Sequence, residues 1–265
     1  TDVVTAIASQ WKATFFRVSL SMNSYSPVVG WVGQSEYKTA MTGVIHALGA
    51  IGGTYVLVTL RSDTSMIDTN GDPCGQTDDA VCLPTNATDD TYRALVDSFK
   101  DAPYVLFGVS NEPLGGSGTE QQISDAMSHA VSVIRAEEDQ LGVPHHIVSV
   151  QGLQWTSHIG FYDTAPLPYD NVVYEYHSYP PDPSLYTQTH VPVIIGEYGP
   201  AGQTQADRAF AAAFFADIDA KSIPSLAWDA AAYSDCEPDL LQVTHDATLT
   251  TKPWGDVVKQ YLLSH

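Results

Sequence analysis

The chain has 265 residues, 44% of them hydrophobic, and a formal net charge of −20 that sets 31 Asp and Glu against 11 Lys and Arg. That length and apolar content fit one large α/β domain or two small ones. The scarcity of cations argues against nucleic acid and anionic membrane as partners, no apolar run approaches the ~20 residues of a membrane span, and a neutral substrate is compatible with the charge.

Helical spacing through Val4, Ile7, Ala8 and Trp11 opens the chain, and the β-rich run ATFFRVSL follows. SEYKTAMTGVIHALGAIGG reads as a helix stopped by its glycines, and TYVLVTLRSD as a strand. DDTYRALVDSFKDA is a helix and YVLFGVSNEP a strand. TEQQISDAMSHAVSVIRAEEDQLG starts with Thr119 and Gln122 at capping-box spacing and is followed by the strand HHIVSVQG. Residues 156–170 hold several prolines and read as loop with a short helix. VVYEYHSY and VPVIIGEYGP are strands, TQADRAFAAAFFADIDAKS is a helix, PSLAWDA is a strand and WGDVVKQYLLSH a last helix.

About seven apolar strands alternating with helices, with no composition break, imply a parallel sheet covered on both faces. The expected fold is a (β/α)8 TIM barrel that lacks its first strand in this chain, with residues 1–265 forming a single catalytic barrel domain. A doubly wound sheet would advertise a Gly-rich phosphate loop after its first strand, and none is present.

Barrel enzymes place their chemistry at the C-terminal ends of strands. The polar residues there are Arg17, Arg61 with Asp63, Ser110 to Glu112, Gln151 with Gln154 and Trp155, His177 with Tyr179, Glu197 with Tyr198, and Trp228 with Asp229. Glu112 and Glu197 each end an apolar strand. Two carboxylates facing one pocket are what glycoside hydrolysis requires: one donates a proton to the leaving oxygen, the other attacks the sugar or activates water.

SNEP, YEYHSY, IIGEYG and AWDA, in that order, resemble glycoside hydrolase family 5, a cellulase-like group of retaining barrel enzymes. WKATFFRVSL resembles the family segment in which an Arg follows the second strand. The resemblance implies that Glu112 is the general acid/base and Glu197 the nucleophile. It implies that Asn111 binds the sugar 2-hydroxyl, Arg17 supports the nucleophile electrostatically, His177 and Tyr179 line the −1 subsite, and Trp228 forms its floor. By the two-residue period Glu175 shares a face with His177 and Tyr179 but lies deeper, as a structural, paired group. Arg61 stands where the family often has a His and is expected at the wall of the −1 or −2 subsite. The absent first strand leaves two edges open, which an upstream segment, a separate fragment or a partner chain would cover.

The activity implied is that of an endo-β-1,4-glucanase working by double displacement. Endo-β-mannanase, xyloglucanase and β-1,3-glucanase are alternatives, as is an inactive carbohydrate-binding barrel. Polysaccharide is the expected partner, and no cofactor is needed. Asp68, Asn70, Asp72 and Asp79 have the spacing of a calcium loop, but Pro73 replaces its Gly, so an Asx-rich turn is preferred. A Cys74–Cys82 disulfide would suit a secreted, extracellular protein and leaves Cys236 as a free thiol. The opening TDVVTAIASQ has no basic start or apolar signal core, so any signal peptide is expected to be already removed. Trp31, Trp155, Tyr25 and Tyr233 are loop aromatics able to stack on distal sugars. Ser110 lacks the second Gly of a nucleophile elbow. His145 and His146 start a strand at the far end of the barrel and are expected at the surface.

Overall fold

The computed structural model describes residues 2–22, 35–63, 83–113, 118–187, 189–202, 204–232, 238–243 and 247–265. Seven parallel strands pair in strict chain order: β1 (Phe15–Met22), β2 (Tyr55–Asp63), β3 (Val105–Gly108), β4 (Val148–Val150), β5 (Val172–Ser178), β6 (Val193–Tyr198) and β7 (Ser225–Ala227). Between and around them run α1 (Asp2–Trp11), α2 (Ser35–Gly49), α3 (Asp89–Phe99), α4 (Glu120–Leu141), the single turn α5 (Pro183–Tyr186), α6 (Ala211–Lys221) and α7 (Pro253–Leu263). The sheet curls until β7 stands beside β1, and no ladder joins those two strands among the described residues. The result is a nearly closed (β/α)8-type barrel with seven strands in place, as the alternation predicts. A cleft of about 480 Å3 lies along the seam, lined by Trp11, Phe16 and Val18 on one side and Leu226 and Trp228 on the other.

Local chemistry explains the helix boundaries. Thr119 Oγ1 accepts from the Gln122 amide and Gln122 Oε1 accepts from the Thr119 amide, so two orphan donors of α4 are satisfied. The helix ends at Gly142, whose φ of 67° is open to glycine at no steric cost. Helix α3 carries Asp89 and Asp90 in its first turn, where the helix dipole favours them, and buries Tyr92, Leu95, Val96 and Phe99 along one stripe. Each such side chain contributes ~1.5–3 kcal/mol on burial. Helix α6 starts later than its sequence pattern suggests: the strip before Ala211 is turn, and Phe210 serves as the cap without a side-chain bond.

The strand alternation sorts the side chains into layers. Tyr174, Tyr176, Ile195 and Tyr198 point outward into the large core under the helices. Leu57, Leu106, Ile194 and Leu226, with Phe15 and Val173, fill the barrel interior as an apolar floor. One step up each strand the inward positions become Arg17, Thr59, Gly108, Ser149, Glu175 and Gly196. A Cβ on Gly196 would run into the Glu175 carboxylate, and one on Gly108 would meet Thr59. Glycine there is a space requirement: the barrel gives up side chains on two strands so that a carboxylate fits at its centre.

His146 departs from its expected place at the surface. It is buried, and its amide and Nδ1 both meet Glu138 Oε1 at 2.8 Å, while Arg135 Nη1 holds Glu138 Oε2 at 2.6 Å. This charged knot ties α4 to the entry of β4. His145 is half-buried beside Asp139 and Asp170. His46 on α2 and His129 on α4 bond Tyr104 and Asp89.

Candidate active site

Four inward-facing elements build the site on the polar layer. Arg17 comes from the middle of β1 and is the hub. Its Nη1 donates to Glu197 Oε1 at 2.6 Å, its Nη2 to Asn111 Oδ1 at 2.7 Å, and its Nε lies 2.9 Å from Glu175 Oε1. One guanidinium thereby joins β1, β5, β6 and the turn after β3, which its planar fork of donors allows and a lysine would not.

Glu197 should face away from the barrel by simple alternation, because Ile194 and Gly196 already face inward. The pairing register of β5 with β6 shifts there: Tyr176 faces Ile195, but His177 faces Glu197. This irregularity at Gly196 turns Glu197 inward, a usual effect of a bulge beside a functional site. Its carboxylate then accepts from Arg17 on one oxygen and from the Tyr179 hydroxyl on the other, at 2.7 Å. Tyr179 titrates well above the ordinary phenol range, through burial and then the Glu197 charge, so it stays a neutral donor.

Glu112 follows Asn111 at the exit of β3 with φ at 47°, a left-handed conformation unusual for a residue with a Cβ. Gln151, at the end of β4, accepts from the Glu112 amide and holds that turn. Strain of this kind costs ~1–3 kcal/mol and persists where surrounding bonds enforce it. The Glu112 side chain is 24% exposed against 6% for Glu197, so the two carboxylates sit at different depths. His177 lies between them and Glu175: Nδ1 is 2.9 Å from Glu112 Oε1 and Nε2 is 2.8 Å from Glu175 Oε1. Burial lowers the His177 pKa, but Glu197, Glu112 and Glu175 outweigh it and bring the imidazole up to about 9. Glu175 is fully buried, which raises its pKa, yet Arg17, His177 and the Ser149 hydroxyl pull it down to about 2. The expected structural pairing of Glu175 is thus present, with three partners.

Ligand atoms of Glu112, His177 and Glu197 all lie within 4.8 Å of one another. Both His177 nitrogens are committed to carboxylates, so the trio is a hydrogen-bonded network rather than a ready metal cage.

The cellulase family model, glycosyl hydrolase family 5, matches residues 1–234. The chain belongs to this family. It is a glycoside hydrolase of cellulase-like type, acting on O-glycosyl bonds. No curated protein sequence matches this family 5 chain. Among solved structures it is similar to the cellulase Cel5C_n, with 19% identity, a TM-score of 0.76, and coverage of 98% of this chain and 80% of that one. It is also similar to the β-glucanase SdGluc5_26A from Saccharophagus degradans in complex with cellotetraose, with 16% identity, a TM-score of 0.77, and coverage of 100% and 82%. The catalytic domain of Thermobifida fusca endoglucanase Cel5A gives 20% identity, a TM-score of 0.71, and coverage of 99% and 86%. These likenesses bear out the barrel fold.

The other singled-out residues of this family 5 hydrolase divide in two. Trp228 caps β7, and Arg61 from the end of β2 places its guanidinium 5.6 Å from the Trp228 ring centroid. Trp155 is 56% exposed on a turn in which Gln154, Trp155 and Thr156 all have positive φ, pinned by the Thr156 hydroxyl to the Gly152 amide. Ser110 is buried with its hydroxyl 3.9 Å from Met127 Sδ, away from the mouth. Asp68, Asn70, Asp72, Asp79, Cys74, Cys82, Cys236, Tyr25, Trp31 and Tyr233 lie outside the described residues. Two participants carried no assigned role in the sequence: Gln151, whose only signal was its strand-end position, and Asp229.

Proposed function

We propose that the chain is a secreted, retaining endo-β-1,4-glucanase that acts as one catalytic domain on extracellular polysaccharide. The observation that carries this reading is the approach of Glu112 and Glu197 carboxylate oxygens to within 4.8 Å. Retaining glycosidases hold their carboxyl groups ~5–5.5 Å apart, whereas inverting ones need ~6.5–9.5 Å to admit a water between them.

Glu197, held in place by Arg17 and Tyr179, attacks the anomeric carbon while Glu112 gives its proton to the leaving oxygen. A water then displaces Glu197 from the sugar and returns its proton to Glu112. Asn111, oriented by Arg17, binds the 2-hydroxyl of the reacting sugar. His177 positions Glu112. Trp228 offers the apolar face on which that sugar rests, with Arg61 fixing the ring, and Trp155 stacks a sugar on the leaving-group side. The cellulase family match and the cellotetraose bound by a structural neighbour favour a β-1,4-glucan over mannan.

A hydrolysis panel of soluble β-glucans, xyloglucan and mannans with wild type and Glu197→Ala tests the reading. Cleavage of β-1,4-glucan by wild type alone is expected, and azide should rescue Glu197→Ala with an α-glycosyl azide product. Glycan binding without cleavage by either protein would leave a carbohydrate-binding barrel instead.

A further inference from the structure

We propose that Asp229 and Asp239 form a proton-sharing carboxyl pair that positions Trp228 beside Glu197, making the floor of the site responsive to pH. The roles of Trp228 and Glu197 here rest on the function proposed above; the pair itself does not.

The backbone around Trp228 is pinned from three sides. Its amide donates to Tyr198 O at 2.9 Å, and its carbonyl accepts from Trp254 Nε1 at 3.3 Å. The next carbonyl, that of Asp229, accepts from the amides of Ala231 and Leu240 at 2.8 and 2.9 Å. Side-chain charge sits directly under this clamp. The Asp229 carboxyl lies close to that of Asp239, which is fully buried. Asp239 Oδ2 accepts from Lys252 Nζ at 2.9 Å, and the Lys252 amide donates to Leu240 O at the start of α7.

Among the described residues, two carboxyls thus meet the Lys252 ammonium. Asp229 Oδ1 is buried and has no donor among the described residues. Two adjacent carboxylates offer acceptors only, and a single proton held between them supplies the donor and removes the repulsion. Burial first, then Asp239 and Glu197, push the Asp229 carboxyl up to about 7. Among the described residues, the other charged or titratable groups near this spot are Glu197 from β6, whose charge acts on Asp229, and Arg17 from β1, Arg61 from β2 and Tyr261 from α7, which with Asp229 line the seam cleft. With one proton the pair is balanced by Lys252. Without it, a second negative charge appears next to Trp228 and within reach of the Glu197 charge, the pair separates, and the ring moves.

Tryptophan fluorescence of the intact protein between about pH 6 and about pH 8 reads this directly. Wild type should show a transition centred near pH 7 that is absent from Asp229→Asn and Asp239→Asn and strongly reduced in Trp228→Phe. In activity, kcat/KM of wild type should fall about fivefold more than that of Asp229→Asn over the unit above the transition. If either variant fails to fold by circular dichroism, the wild-type trace and the other variant decide. No wild-type transition, or a transition retained in both Asn variants, overturns the proposal. Inactivity of wild type on every glycan would overturn the function and leave the fluorescence result standing.

Discussion

Arg17 donates to Glu197 across 180 residues of sequence, at 2.6 Å, with both side chains almost fully buried. The same guanidinium serves Glu175 and Asn111, so two carboxylates depend on one cation. Removing one partner of a buried ion pair costs ~3–5 kcal/mol, because the other charge is left without compensation. Arg17→Met is therefore expected to lose stability on that scale in urea unfolding and to abolish hydrolysis. Arg17→Lys keeps the charge but cannot span three acceptors; it should recover part of the stability and little of kcat.

Gly196 is the point where β6 shifts register and where Glu175 needs room. Gly196→Ala puts a methyl into the Glu175 carboxylate, whose neighbours are backbone and buried partners that cannot retreat far. Overpacking of this kind costs ~1–3 kcal/mol. A lowered urea midpoint together with a fall in kcat larger than any change in KM is expected. An unchanged kcat would mean that the bulge does not control the aim of Glu197.

The buried charges set a pH window for stability. His177 has its pKa raised to about 9, so its contribution is fully present below its unfolded value and is lost as pH rises through about 9. Glu175 is depressed to about 2, so its contribution is present above its unfolded value and is lost as pH falls through about 2. Thermal melting against pH should show both flanks. Glu175→Gln should remove the acid flank and, by withdrawing a charge from His177, move the alkaline flank to lower pH.

Trp155 stands exposed on a strained turn with few packing partners to lose. Trp155→Ala should change stability by no more than ~0.5 kcal/mol. If the residue stacks a sugar on the leaving-group side, kcat/KM should drop for long cello-oligosaccharides and stay level for short ones that do not reach it. An equal loss for all lengths would assign Trp155 to the turn instead of the substrate.

Much of the architecture was readable in sequence because it is written in local signals. Alternating apolar strands and amphipathic helices, the Thr119–Gln122 cap and the stop at Gly142 each act within a few residues. Strand-end position pointed to Asn111, Glu112, His177 and Tyr179 at one mouth, since parallel strands all end on the same face, whereas Arg17 stands in the middle of β1 and Glu197 needed the register shift to join them. The misjudged element also has a local cause: nothing near His146 marks it as buried, because its partner Glu138 enters from the end of α4.

The sequence by itself determined the order of the elements and the face on which Asn111, Glu112, His177 and Tyr179 gather. Only the tertiary structure decided that Glu197 points inward, because a register shift at Gly196 overrides the two-residue period. It also decided which charges share a partner. Arg17 reaches residues 94 and 180 positions away, and Asp229, next to Trp228, meets Asp239, contacts that depend on how strands and segments distant along the chain close around one interior.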